Sequence, residues 1–177
     1  MNESVQDLFE WKQSSTLFPR QPRQAFFDVM LSHPFWEELK ILDIGGNCGN
    51  FLQDGIANGT VLPENYYCLD VDKSAIDYGV ENFPQANWHH HNAFNHMYNP
   101  NGEEELIFPF ENNMFDVVMA YSVYSHTTYE QFKFDLEQIK RVCKPGGQIA
   151  ITFVDKESAE YFTCLLYTSP SPRDWTI

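Results

Sequence analysis

The sequence predicts an α/β fold built on a doubly wound, mostly parallel sheet, and three observations lead to this fold class. Short apolar segments alternate along the chain with segments in which apolar residues recur at helical spacing. Gly and Pro mark the turns between these segments. The segment over 115–121 is apolar almost throughout, as is typical of a parallel strand covered on both faces. Such an alternation favours parallel pairing through right-handed crossovers.

The strands are predicted from their apolar runs and the helices from their periodicity. Five strands are expected, over residues 40–44, 66–70, 86–90, 115–121 and 148–153. Helices are expected over 50–57 and 74–83, and Pro84 stops the second of them.

A third helix is signalled by its first residues. Thr128 precedes it and Gln131 stands three residues further on, which is the pattern of a capping box. Apolar residues then recur at helical spacing up to a turn over 144–147, which holds Pro145 and two glycines. We expect this turn to end the helix and to lead into the fifth strand.

The charge balance argues against nucleic acid as a partner. Eleven basic residues stand among twenty-five acidic ones, for a net charge of −14 at pH 7, whereas proteins that track phosphates cluster Lys and Arg. No apolar run approaches the ~20 residues of a membrane span, and the acidic first residues are unlike a secretory signal. We expect a cytoplasmic protein with no membrane partner.

Neither the cysteines nor the histidines form a metal-binding pattern. The four cysteines lack zinc-type spacing and are expected to be small buried hydrophobes. His89, His90 and His91 are consecutive, but neighbours on a strand point to opposite faces, so at most two of them can share a ligand. No metal site is expected.

The residues that carry chemistry follow the first two strands. In an open parallel sheet, ligands bind beyond the carboxyl ends of the strands. The first strand ends at Asp43 in a turn with Gly45, Gly46 and Gly49, where glycine lets the backbone approach a ligand closely. The second strand ends in Asp70. In nucleotide-binding proteins, a carboxylate at about this distance along the chain after the glycine turn accepts hydrogen bonds from the ribose. A nucleotide-like ligand is therefore expected at this edge.

Two classes of cofactor are bound by a glycine turn after the first strand together with an acid at the end of the second strand. The sequence of the turn distinguishes between them. The dinucleotide pattern G-x-G-x-x-G, started at Gly45, needs glycine at Asn47 and at Asn50. The pattern D-x-G-x-G-x-G has its acid at Asp43 and is broken only at Asn47. A leading acid suits a ligand that carries an ammonium and a sulfonium, and it repels a pyrophosphate.

On these residues the chain resembles the class I S-adenosylmethionine-dependent methyltransferases, from about Trp36 to Phe153. The matching stretches are residues 41–49, 69–72, 108–118 and 136–147, the last with Cys143 in the leucine position of the family's L-K-P-G-G turn. The resemblance implies a Rossmann-like fold of the class I methyltransferase type and S-adenosylmethionine as the cofactor. No N-P-P-Y-type motif follows the fourth strand, so the implied methyl acceptor is a small molecule or another non-nucleic-acid substrate.

The resemblance also implies the residues of the site. The cofactor-binding residues would be Asp43, Gly45, Gly46, Asn47, Gly49, Asp70, Val71, Asn92, Tyr121 and Ser122. Asp43 would support the loop and the methionine ammonium, Asp70 would hold the ribose hydroxyls, and Val71 would lie against the adenine. Asn92 would accept from the adenine amino group in place of the family's aspartate, while Tyr121 and Ser122 would lie near the transferred methyl group.

His126 follows the fourth strand, where the acceptor is expected. Imidazole titrates in the range that suits a general base, so His126 is the candidate catalytic residue. The alternative for His126 is a residue without a chemical role that leads into the helix. For the protein as a whole, the alternatives are a catalytically silent cofactor-binding module, a nicotinamide-dependent oxidoreductase or an aminopropyl transferase.

Residues 1–38 are expected to be a helical lead-in of two short helices divided by prolines, and residues 39–163 are expected to be the methyltransferase domain.

The end of the chain departs from the family pattern. Residues 164–177 are similar to the translation of a transposon-type sequencing adapter, so we expect natural sequence to end near Thr163. On that expectation the domain lacks the family's last two strands, and the fifth strand becomes an apolar edge.

Overall fold

A computed structural model describes residues 36–125 and 127–152 of the chain. Its five strands are β1 (Ile41–Ile44), β2 (Tyr66–Asp70), β3 (Asn87–His90), β4 (Phe115–Ala120) and β5 (Cys143–Ile151). Its α-helices are α1 (Asn50–Asn58), α2 (Lys73–Asn82) and α3 (Tyr129–Val142), with short 3₁₀ turns at Trp36–Glu38 and Pro63–Asn65. The strands pair in parallel in the order β3-β2-β1-β4-β5. The predicted α/β fold class is therefore confirmed.

The sheet is covered on both faces because strand side chains alternate between them. On one face, Ile41 of β1 belongs to the same core cluster as Phe51 of α1 and Ile76 of α2. On the other face, Leu42 belongs to a cluster that contains Ile139 of α3. This is the doubly wound arrangement that the alternating segments predicted.

The direction of winding changes at β1. From β1 the chain proceeds outward through β2 to β3, and it then returns to place β4 against the other side of β1. The carboxyl ends of β1, β2 and β4 lie side by side, with Ile44 paired to Leu69 and to Ala120. A crevice at such a switch in strand order is where ligands bind in this architecture.

The connection from β3 to β4 is irregular. Over residues 91–114 it holds two isolated bridges, Ala93 with Glu103 and Asn95 with Asn99, and no helix. Its last part packs on the α3 face through Phe108 and Phe110, which are both buried. This segment closes one side of the crevice.

The capping box before α3 is only half formed. The Thr128 hydroxyl accepts the N–H of Gln131 at 3.2 Å, as predicted. The Gln131 side chain, however, donates to the Phe94 carbonyl at 2.9 Å. The Thr128 half of the capping box is therefore confirmed, and the Gln131 amide nitrogen ties α3 to the β3–β4 connection.

The turn over 144–147 does not separate α3 from the last strand. It belongs to β5, which begins at Cys143 directly after the helix and is interrupted by a shift in register between Phe115 and Val117 of β4. The positive φ of Gly146 (+80°) accommodates this irregularity. An ion pair between Lys144 and Asp116, 2.7 Å from Nζ to Oδ1, holds it against the start of β4.

Two predictions concern parts of the chain outside the described residues. They are the two lead-in helices, apart from the 3₁₀ turn at Trp36–Glu38, and the departure of the sequence after Thr163. None of the helices in the described ranges is both long and apolar enough to cross a membrane.

Candidate functional site

A cavity opens at the carboxyl edge of the sheet, beside the switch in strand order. The ends of β1, β2 and β4, the segment after β3 and the start of α3 form its wall. Six of the residues predicted from the sequence line it: Gly45, Asn47, Asp70, Val71, Tyr121 and Ser122. The structure thus gathers these residues, which are far apart in the sequence, around one space.

Asp70 connects the two loops that border the cavity. Its Oδ2 accepts the N–H of Asn47 at 2.7 Å, and its Oδ1 accepts the N–H of Asp72 at 2.8 Å. Each carboxylate oxygen has a second lone-pair direction, so the group can hold both loops and still accept from a ligand. Asp72 in turn caps α2 by accepting the N–H of Ser74.

The loop after β1 turns through left-handed backbone conformations. Gly45 has φ +66°, and a Cβ there would lie 2.3 Å from Cγ2 of Val123. Asn47, where the family pattern has glycine, has φ +57°. Asparagine tolerates this region better than other side chains do. The broken position of the sequence pattern is therefore compatible with an intact loop.

Asp43 and Gly46 lie beneath the loop and are absent from the cavity wall. The Asp43 side chain is 1% exposed, and its Oδ2 accepts the Tyr66 hydroxyl at 2.8 Å. A Cβ at Gly46 would lie within 3 Å of this oxygen, of the Tyr66 hydroxyl and of the Cys68 thiol. The role of Asp43 in supporting the loop fits this placement, whereas its carboxylate does not line the cavity.

Gly49 and Asn92 are also outside the wall. Gly49 has φ +74° and begins α1, and a Cβ there would lie 2.6 Å from the Trp88 ring, so close packing against Trp88 requires glycine. Asn92 is exposed, and its Oδ1 accepts from Asn99 Nδ2 at 3.1 Å. Its neighbours His91 and Ala93 line the cavity instead, because side chains alternate in direction as the chain leaves β3.

The end of β4 forms the centre of the wall. Ser122 has φ +59°, a strained conformation for serine, and its N–H donates to the Thr152 hydroxyl at 2.7 Å. Such strain is concentrated at functional sites. Tyr121 precedes it and Val123 follows it, and all three residues line the cavity.

Seven polar residues of the wall were not identified as site residues from the sequence: Asp72, His91, Asn95, Tyr98, Thr127, Gln131 and Asp135. The last three are spaced by four residues and so lie on one side of α3 and its lead-in. Burial raises the pKa of the Asp135 carboxyl to about 7, and burial, with the nearby His90, lowers the pKa of His91 to about 4. This four-residue spacing is visible in the sequence, although the helix itself is predicted from its apolar residues.

His89 and His90 contact neighbouring groups of the protein, and the described cysteines are buried. His89 stacks on Tyr67, with ring centroids 6.2 Å apart, and His90 contacts the carbonyl of Val71 through Nε2 at 3.2 Å. The cysteines of the described ranges are buried thiols that form no disulfide within those ranges, and burial raises the pKa of the Cys68 thiol. Within those ranges, no three His, Cys, Asp or Glu side chains are grouped so as to hold a metal ion. His126 lies outside the described residues.

The cavity suits a cationic nucleoside better than a dinucleotide. Asp70, Asp72 and Asp135 are in its wall, while no Lys or Arg of the described residues lines it. This set of groups attracts a sulfonium and an ammonium and repels a pyrophosphate. The Asp70 carboxylate is of the kind that accepts ribose hydroxyls. The residues present therefore fit S-adenosylmethionine.

Comparisons with solved structures show the same fold. A SAM-dependent methyltransferase from Aquifex aeolicus is 20% identical, with a TM-score of 0.57, over 97% of this chain and 80% of that one. A TehB-like SAM-dependent methyltransferase from Corynebacterium glutamicum is 19% identical, with a TM-score of 0.57, over 90% and 81%. DesVI from Streptomyces venezuelae is 17% identical, with a TM-score of 0.53, over 88% and 61%.

The family itself is shown by a sequence model. The model of the methyltransferase domain matches residues 42–149, which span β1 to β5 and so include every strand that borders the cavity. This match covers more than half of the chain. The chain therefore belongs to the methyltransferase domain family and is a class I methyltransferase dependent on S-adenosylmethionine.

Proposed function

We propose that the protein transfers the methyl group of S-adenosylmethionine to a small-molecule or other non-nucleic-acid acceptor bound in the cavity at the carboxyl edge. One observation carries the choice of acceptor: three aspartates and no Lys or Arg of the described residues line this cavity. A nucleic-acid substrate brings phosphates close to the reacting base, and an acidic wall repels them. The net charge of −14 supports the same choice.

The residues that hold the cofactor follow from their surroundings. Asp70 offers its remaining lone pairs to the ribose hydroxyls while its bonds to the Asn47 and Asp72 N–H groups keep it in place. Val71 offers an apolar side to the adenine, and Gly45 and Asn47 line the methionine side. Asp43 acts from below, through the loop.

The protein contributes alignment and exclusion of water. S-adenosylmethionine supplies a methyl carbon that the neighbouring sulfonium already activates, so little further activation is needed. Tyr121 and Ser122, at the end of β4, border the space where the acceptor meets this carbon. His126, which the sequence predicts as a general base, lies outside the described residues.

The choice of cofactor is tested by binding. We expect S-adenosylhomocysteine to bind the full-length chain with a Kd of roughly micromolar order, and NAD⁺ to bind at least about 100-fold more weakly, because no Lys or Arg of the described residues lines the acidic cavity to hold its pyrophosphate. Isothermal titration calorimetry at one ionic strength measures both. Adenosine serves as a control for the shared nucleoside, and equal affinity for the two ligands would contradict the assignment.

The class of acceptor is tested by where labelled methyl groups accumulate. The protein is incubated with S-adenosyl-[methyl-¹⁴C]methionine and a cell extract separated into small molecules, proteins and nucleic acids. We expect label in the small-molecule or protein fraction, and background counts in DNA and RNA. Incorporation into nucleic acid that nuclease treatment releases would overturn the proposed acceptor class, while leaving the cofactor assignment intact.

A further inference from the structure

Asp135 lines the cavity, and none of the specific cofactor contacts proposed above is assigned to it. It lies in α3, on the side of the helix that Thr127 and Gln131 also present to the cavity. The Asp70 and Val71 side of the cavity belongs to β2, two strands away from the strand that α3 follows. The wall thus has a cofactor side and a second side formed by α3.

Among the described residues, the Asp135 carboxyl has no cationic partner. It takes part in none of the ion pairs of the described residues, and no Lys or Arg among them lines the cavity. Its neighbour is the buried phenol of Tyr124, and desolvation raises the pKa of the carboxyl to about 7. A half-buried carboxylate without a cation is unfavourable, so a bound cation relieves a cost that is present in the free protein.

His91 provides an independent indication of a ligand beside α3, because its ring packs against Phe108, which belongs to the core cluster on the α3 face of the sheet. Its side chain is 7% exposed and lines the cavity, yet its Nε2 is buried and has no hydrogen-bond partner. Its ring packs edge-on against Phe108, with centroids 5.3 Å apart, and its lowered pKa keeps the imidazole neutral. Buried polar atoms are rarely left unpaired in native proteins. A ligand with a polar hydrogen or a lone pair satisfies this one.

We propose that Asp135 and His91 form the acceptor subsite, that this subsite takes a primary or secondary amine in its protonated form, and that Asp135 determines this specificity. This inference rests on the proposed function. The ammonium pairs with the carboxylate and gives one proton to a carboxylate oxygen, so the nitrogen keeps the electron pair of that N–H bond. The nitrogen then forms a bond to the methyl carbon as the carbon–sulfur bond breaks, with its electron pair left on sulfur. Asp135 afterwards releases its proton to solvent.

The test compares probes that share a skeleton and differ in the polar group and therefore in charge. Ethyl, cyclohexylmethyl and 2-phenylethyl skeletons are each used as the amine, the alcohol and the carboxylate of similar length. Binding to the full-length chain, saturated with S-adenosylhomocysteine, is measured by calorimetry. In at least one skeleton we expect the amine to bind about 10-fold or more tightly than the alcohol, and the carboxylate to bind more weakly than both.

Two variants isolate the role of Asp135. Asp135→Asn should weaken binding of the preferred amine by roughly 30-fold and change binding of its alcohol by less than about threefold, because only the charged pair is lost. Glu137→Gln is the matched control, since it makes the same charge change on α3 at an exposed side chain paired with Lys140. This control should leave both affinities unchanged.

The outcomes separate the two proposals. An amine preference that Asp135→Asn abolishes, with unchanged affinity for S-adenosylhomocysteine, supports the subsite. The absence of an amine preference in all three skeletons, or a preference that Asp135→Asn leaves intact, overturns it. Failure of the wild-type chain to bind S-adenosylhomocysteine instead overturns the proposed function on which the subsite rests.

Discussion

Replacing Asp70 with alanine is expected to weaken S-adenosylhomocysteine binding by about 100-fold or more. The change removes the acceptor proposed for the ribose, and it also removes the bonds to the N–H groups of Asn47 and Asp72. Each donor left without a partner in a part-buried place costs about 1–3 kcal/mol, and about 1.4 kcal/mol corresponds to a tenfold change in Kd. Calorimetry measures the affinity, and thermal unfolding reports whether the loops are destabilised as well.

Asp77→Ala is the matched control for this variant. Asp77 lies in α2, makes an exposed ion pair with Lys73 and loses the same charge. Exposed pairs of this kind contribute about 0.3–0.5 kcal/mol, so the control should bind normally. Binding by Asp70→Ala within threefold of the wild type would show that the carboxylate neither holds the cofactor nor orders the loop.

Replacing Gly45 with alanine is expected to destabilise the fold by about 2–5 kcal/mol and to weaken cofactor binding. The left-handed backbone at φ +66° costs a side chain roughly 1–2 kcal/mol, and steric overlap in a packed region adds about 1–3 kcal/mol. The overlap is with Val123, since a Cβ on Gly45 lies 2.3 Å from its Cγ2. Both residues line the cavity, so relief of the overlap distorts the site. Chemical denaturation and calorimetry measure the two effects.

Gly59→Ala separates backbone strain from this overlap. Gly59 has φ +67°, but a Cβ there has nothing within 4 Å, so only the backbone penalty of about 1 kcal/mol is expected. The double variant Gly45→Ala with Val123→Ala should recover roughly 1–2 kcal/mol, because residues in contact do not act additively. Equal destabilisation by Gly45→Ala and Gly59→Ala would show that Val123 does not limit the loop.

Local sequence signals predicted most of the elements of the fold. β2 has the predicted bounds, and the helices α1 and α2 agree with their predictions to within a residue at each end. These elements are signalled by their own residues, as in the Asn58 and Gly59 end of α1. Local signals did not predict the contacts between distant segments. Gln131 donates to the Phe94 carbonyl, and Cys143 already pairs with Phe115 of β4 before regular pairing resumes between Gln148 and Val117.

The methyltransferase pattern alone identified the loop after β1 and Asp70, because their spacing follows from one strand–helix–strand unit. The tertiary structure decided which of those residues face the cavity. Asp43 is covered by its own loop and bonded to Tyr66, and Asn92 is turned out beside Asn99. Such directions depend on packing from both sides of the sheet.

Sequence patterns did not predict the side of the cavity that α3 forms. His91 follows β3 and Asp135 lies in α3, and only the return of the chain across β1 brings these two segments to the same edge. The unpaired Nε2 of His91 and the raised pKa of Asp135 exist only through this burial. Spacing along the chain thus determined the family and the cofactor, while the tertiary structure placed the groups from which we infer the acceptor.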